Sequence, residues 1–181
     1  MIASAPLLET TSRRAIPPHA RGGIAFFASL LLAPAVFASE DPCSQYDTAV
    51  VVVDVHARSL WLCELGATQA HYPVALGRGG TGKRTAGDRK TPLGWYALGE
   101  PRLSDRFGVF IPISYPTVAQ RRKGFTGGEI GIHGPQRRFE WAGSWNTYVD
   151  WTEGCIALGT LDEAMEVATF VRERAPSVLI R

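Results

Sequence analysis

At 181 residues, with 45% of them hydrophobic, the chain has room for one compact domain with a real core. Its formal charge of +2 comes from the first 38 residues, where Arg13, Arg14 and Arg21 outnumber Glu9. The neutral remainder lacks the concentrated basic surface that binding to nucleic acid requires.

Those first residues read as an export signal. The arginines precede an apolar run from Ile24 to Phe37, which ends in Val36-Phe37-Ala38. Small residues at 36 and 38 suit a signal peptidase, so cleavage is expected after Ala38. The run falls short of the roughly 20 apolar residues of a membrane span, and Pro34 interrupts it, so no stable anchor is expected after cleavage. Arg13-Arg14 stands far from the run, which favours general secretion, and Cys43 follows Glu-Asp-Pro rather than a lipoprotein signal. Residues 39–47 form a short N-terminal segment, and 48–181 are expected to form one domain.

From Ala49 to Val55 a β-branched run reads as a buried strand. After His56-Ala57-Arg58, the alternation of Ser59 to Glu64 predicts its hairpin partner. Further strands are expected over Gln69–Leu76, Gly94–Leu98, Gly108–Ile113, Glu129–His133 and Val178–Arg181. Thr160-Leu-Asp-Glu163 is a capping box. It opens a helix whose apolar stripe holds Leu161, Met165, Ala168 and Val171, widened by Ala164, Val167 and Phe170. A short helix over Pro116–Arg122 is also expected. The fold class is mainly β with one or two α-helices.

The loop after the third strand, Gly77-Arg-Gly-Gly-Thr-Gly82-Lys83, has the spacing of a phosphate-cradling P-loop. That motif needs a hydroxyl after the lysine, where this chain has Arg84, and a helix beginning there, which Gly87 and Pro92 oppose. No nucleotide is expected as a ligand. Its lysines and arginines have the charge to meet carboxylates, but solvated side chains are the expectation for each.

Three cysteines, an odd count, leave at least one without an intramolecular partner. Cys43 and Cys63 are one available disulfide pair, although sequence alone does not give the geometry. Cys155 follows Gly154, whose freedom permits a turn that presents a sulfur and its own N–H to one carbonyl. His133 ends a short strand between Gly131 and Gly134, placed to reach out of the sheet and act as base. His19 leaves with the leader, and His56 and His71 have no such setting. Without a Cys-x-x-Cys or paired histidines, no metal is expected.

These pieces come in a recognisable order: Tyr72-Pro-Val-Ala-Leu-Gly77, Gly87-Asp-Arg-Lys-Thr-Pro-Leu-Gly94, Ile132-His-Gly134 and Thr152-Glu-Gly-Cys-Ile-Ala-Leu158. The chain resembles the L,D-transpeptidase (YkuD-type) catalytic domain family over roughly residues 48 to 181. The resemblance implies a β-sandwich-type catalytic fold, peptidoglycan stem peptides as substrate and no cofactor. Together with the leader, it implies a periplasmic location. Cys155 would attack the carbonyl at the L-centre of the third stem residue and expel the terminal D-alanine, with His133 as general base and then acid. The acyl group would pass to an amine, forming a cross-link, or to water, making the protein an L,D-carboxypeptidase or endopeptidase. A catalytically silent wall-binding module would instead show a Cys155 that alkylates no faster than a free thiol, whereas an active site would show a thiolate below the ordinary value of about 8.5.

Two departures from the family pattern stand out. Glu153 occupies the position of a second histidine, although versions reading Trp-Thr-x-Gly-Cys-Ile-Ala exist. A carboxylate there would hold an imidazolium or oppose a thiolate. The stretch Gln136–Tyr148 is also longer than usual, and its aromatics would serve either as a lid or as a surface loop plugging the sheet edge. Gly154 and the Cys155 N–H are the expected turn and oxyanion groups. The candidate substrate contacts are Gly134, Arg137, Arg138, Trp145, Tyr148, Trp151, Thr152 and Glu153.

Overall fold

Residues 41–181 are described by the structure, a computed structural model. The expected leader over 1–38 lies outside the described residues. Strand β1 (Val50–Asp54) pairs antiparallel with β2 (Ser59–Glu64), and β2 with β3 (Ala67–Ala75), close to the bounds read from the sequence. Next come β4 (Gly94–Ala97), β5 (Arg102–Ser104), β6 (Gly108–Pro112) and the short helix α1 (Val118–Arg122). The chain continues through β7 (Gly131–His133), a 3-10 segment (Arg137–Thr147), β8 (Ile156–Leu158), α2 (Leu161–Arg174) and β9 (Ser177–Ile180).

All nine strands of the described residues join one sheet, in the order β4-β9-β1-β2-β3-β8-β7-β6-β5. The sheet curls on itself: Leu98, just beyond β4, bridges Ile113, just beyond β6. Inside the curl, one core gathers Val51 and Val53, Leu60 and Leu62, Val74, Ile111, Ile132, Ile156 and Leu158, and Val178 and Ile180. Helix α2 packs on it against β6 and β8 through Ala164, Val167, Ala168 and Val171. Met165, expected on the buried stripe, is exposed, because the stripe is narrower than the sequence pattern allows. Thr160 and Glu163 cap the helix reciprocally as the sequence predicts.

The four-valine run of β1 has a direct cause. Alternate residues of a strand face opposite sides, and here both sides are covered. Val51 and Val53 enter the main core, while Val50 and Val52 meet Cys43, Cys63, Tyr46 and Trp61 on the other face. A Cys43–Cys63 disulfide, with Cα atoms 5.1 Å apart, ties the N-terminal segment over that face. Strands β5 and β8, three residues each, were not expected. Among the described residues no helix is long and apolar enough to cross a membrane.

Candidate active site

Cys155 and His133 meet because of strand register. β7 and β8 are parallel, with Ile132 opposite Ile156 and His133 opposite Ala157. Cys155, one residue before β8, is therefore level with Gly131. Gly131 and His133 lie two apart on one strand and share a face of the sheet. The thiol and the imidazole thus open into one cleft of about 480 Å³, lined also by Arg78, Arg102, Arg106, Phe107, Gln136, Trp151, Thr152 and Glu153. A larger groove of about 600 Å³ beside β4 and Pro116 contains no cysteine or histidine, so the chemistry belongs to the smaller cleft.

The imidazole is buried, stacked on Phe107 at 3.9 Å between centroids, with Trp151 5.7 Å away. Its Nδ1 lies 2.7 Å from the Gly134 carbonyl oxygen. A carbonyl only accepts, so Nδ1 carries the hydrogen and Nε2 keeps its lone pair. Burial, reinforced by the Arg106 charge against the pull of the Gly134 carbonyl, lowers the imidazole to about 4. The ring is neutral at neutral pH and available as a base.

At Cys155, desolvation raises the thiol to about 11, against the stabilising Gly131 N–H, with Glu129 adding to the rise. The resting thiol lies 3.4 Å from the Glu129 carbonyl, its hydrogen-bond acceptor. This corrects the expected thiolate below the ordinary value. Desolvation disfavours the charged form of both groups, so the resting pair is a neutral thiol and a neutral imidazole. Slow alkylation therefore no longer points to a silent module.

The glycine-rich loop supports the nucleophile from below. Gly77 bridges Thr152, Arg78 N–H donates to the Thr152 carbonyl at 3.0 Å, and Thr152 N–H donates to Leu76 at 3.1 Å. Thr152 Oγ1 in turn donates to the Cys155 carbonyl at 2.7 Å and accepts from Gly154 N–H at 3.1 Å. Gly154 has φ +126, and a Cβ on Gly77 would stand 3.0 Å from the Gly154 Cα and 2.9 Å from the Thr91 nitrogen. Two backbones are in contact there, which only glycine permits.

The same loop corrects a second expectation. Lys83, read as solvated, is buried, with Nζ 2.7 Å from Asp88 Oδ1. Burial works against the Asp88 carboxylate. Even so, Lys83 and the N–H groups of Thr85, Arg84 and Lys90 hold it well below the usual range. The apparent P-loop lysine is an internal strut.

Glu153 neither holds an imidazolium nor stands unpaired beside the thiol. It is exposed, pairs with Arg78 and lies 3.5 Å from Arg89. Of the remaining candidates, Gly134 orients His133, while Trp151 and Thr152 line the cleft. Arg137, Arg138, Trp145 and Tyr148 do not line it. Arg137 and Arg138 border a neighbouring depression with Asp105, which shares Arg106 and Gln136 with the cleft, and Trp145 stacks on Tyr148 at 5.1 Å. The cationic side chains in the cleft are Arg78, Arg102 and Arg106, from the glycine-rich loop and from β5 with its following turn. Sequence reasoning missed the last two because β5 has no apolar alternation, and Leu103 at its centre is exposed.

The family model of the L,D-transpeptidase catalytic domain (YkuD) matches residues 48–180. The chain belongs to this family. Its fold is similar to that of the helical cell shape determining protein Pgp2 of Campylobacter jejuni, at 25% identity and a TM-score of 0.62, over 79% of this chain and 52% of that one. Bd1075 of Bdellovibrio bacteriovorus shares the fold at 23% identity and a TM-score of 0.56, over 75% and 48% of the two chains. This YkuD chain thus spans about half the length of the solved structures it matches. No curated protein matches it. Peptidoglycan stem peptides are the substrates on which the family acts.

Proposed function

We propose that the protein is an exported cysteine L,D-transpeptidase acting on peptidoglycan stem peptides in the periplasm, its leader removed after Ala38 and residues 48–181 forming the catalytic domain. The observation that carries this reading is the Cys155–His133 pair, brought into one cleft by the adjoining strands β7 and β8, with Nε2 left free by the Nδ1–Gly134 bond. The likeness to a helical cell shape determining protein supports a role in wall remodelling.

In this mechanism, His133 Nε2 takes the Cys155 proton as sulfur attacks the carbonyl at the L-centre of the third stem residue. Because neither group is charged at rest, proton transfer accompanies attack rather than preceding it. The Cys155 N–H faces the developing oxyanion. The C–N bond to the terminal D-alanine breaks, and its amine leaves with the proton from His133. An acceptor amine then attacks the thioester and loses its proton to His133. The C–S bond breaks, and the proton returns to sulfur. Arg78, Arg102 and Arg106 give the cleft an affinity for stem-peptide carboxylates.

The test is product analysis by mass spectrometry after incubation with purified disaccharide-tetrapeptide. The expected product is a dimer joined through two third-position residues, absent with Cys155→Ala and reduced about 10²- to 10⁴-fold with His133→Ala. Tripeptide alone, also Cys155-dependent, would make the protein a carboxypeptidase. No Cys155-dependent product would remove the enzymatic reading.

A further inference from the structure

The 3-10 segment Arg137–Thr147 and the turn after it expose an unusual amount of aromatic surface: Trp141 is 84% exposed, Trp145 74% and Tyr148 72%. Aromatic surface left in water at this density marks a binding face. The rings are held in place. Trp145 and Tyr148 are stacked, Trp141 Nε1 donates to the Arg138 carbonyl at 3.2 Å, and Asn146 Nδ2 donates to the Phe139 and Gly143 carbonyls within the segment and to the Gly159 carbonyl beyond it.

Beside Trp145 runs a groove of about 350 Å³, walled by Phe139 and floored towards the cleft by Gln136 and Trp151. Ligand pockets begin at about 300 Å³. Gln136 and Trp151 line the catalytic cleft as well, so the two depressions adjoin, with the Trp151 indole, 5.7 Å from the His133 ring, standing between them. The two halves differ in chemistry. Three arginines and two carboxylates, Glu129 and Glu153, line the cleft, whereas Arg138 is the single charged side chain of the groove, and its guanidinium lies over the Phe139 ring at 4.8 Å.

We propose that this groove is a glycan subsite, binding a neutral N-acetylated sugar ring of the strand that carries the stem peptide. A pyranose presents a face of C–H groups that stacks on an indole, while its amide and hydroxyls seek amide partners such as Gln136. The charged peptide is drawn to the arginines and the uncharged sugar to the aromatic groove. The inference rests on the proposed peptidoglycan substrate for its ligand, but its test does not depend on catalysis.

The full-length Cys155→Ala protein, which forms no acyl-enzyme, is titrated with a peptide-free tetramer of N-acetylglucosamine while tryptophan emission is followed. A saturable change is expected. Trp145→Ala in the same background weakens it about 2- to 12-fold, the worth of one aromatic contact, and Trp145→Phe restores most of it. Trp145 lies outside the core, so its truncation leaves the melting temperature unchanged. Absence of saturable binding, or binding that Trp145→Ala leaves intact, overturns the subsite. So does Trp145-dependent self-association in sedimentation, because a second copy would then be the occupant. Sugar binding without any Cys155-dependent product would sink the enzymatic reading and leave the subsite standing.

Discussion

The glycine-rich loop, which lends Arg78 to the catalytic cleft, and the aromatic 3-10 segment, which lines the neighbouring groove instead, are built in opposite ways. The loop looks like a ligand cradle, yet it turns its lysine inward onto Asp88 and spends its backbone on the nucleophile turn. The 3-10 segment looks like a length variation, yet it holds its aromatic rings in solvent. A lysine that is buried and satisfied is structure, whatever motif surrounds it, and a large ring left in water is the feature needing a partner.

Removing one half of the loop's strut should have the largest effect. Asp88→Asn leaves the Lys83 ammonium buried and unpaired, a change of about 3–5 kcal/mol in stability. Urea denaturation should show it, whereas a solvated loop lysine would give a loss below about 1 kcal/mol. Because the Asp88 pKa is depressed, its contribution is whole above the unfolded value of about 3.9 and is lost as pH falls below it.

A second test concerns the resting charge of the pair. With the thiol held at about 11, iodoacetamide should modify Cys155 at neutral pH about 10²-fold more slowly than an ordinary thiol. The rate should climb without a plateau until pH approaches that value. The His133 contribution to stability is whole above about 6.5 and is lost as pH falls toward about 4. That of Cys155 is whole below about 8.5 and is lost as pH rises toward about 11. Fast alkylation at neutral pH would contradict the neutral pair.

Gly77→Ala sharpens the supporting role of the loop. The added Cβ meets the Arg89 carbonyl oxygen first, then the Thr91 nitrogen and the Gly154 Cα, so the loop shifts under the nucleophile turn, and misplacing the nucleophile by about 1 Å costs up to about 10²-fold in turnover. The expected loss is in kcat, with substrate KM little changed. The smallest effect belongs to Glu153→Gln. Exposed ion pairs contribute about 0–1 kcal/mol, so a change of a few-fold in KM is expected as Arg78 loses its tether. A hundredfold loss of kcat would instead give Glu153 a part in the chemistry.

Much of this molecule was legible in its sequence where local pattern and tertiary outcome agree. The β1 valine run, the β1–β2 hairpin, the Thr160 capping box and the glycine turn before Cys155 each carry their own cause within a few residues. What stayed hidden depends on distant pairing. Strands β5 and β8 are too short for a period to register and exist because β6, β7 and β3 hold them. The cleft arginines come from two segments that only the sheet order brings together. Burial reverses the expected charge state of Cys155, and no residue type announces it. Lys83 was misread for the same reason: a glycine-rich stretch gives no sign of which side chain turns inward.

The most direct measurement is a rapid-quench time course of intact protein mass with disaccharide-tetrapeptide, followed by peptide mapping. A transient adduct of one disaccharide-tripeptide, located on Cys155 and preceding product, is the predicted result. Product released at the same rate by Cys155→Ala, with no adduct at any time, would contradict the assignment of Cys155 as the nucleophile.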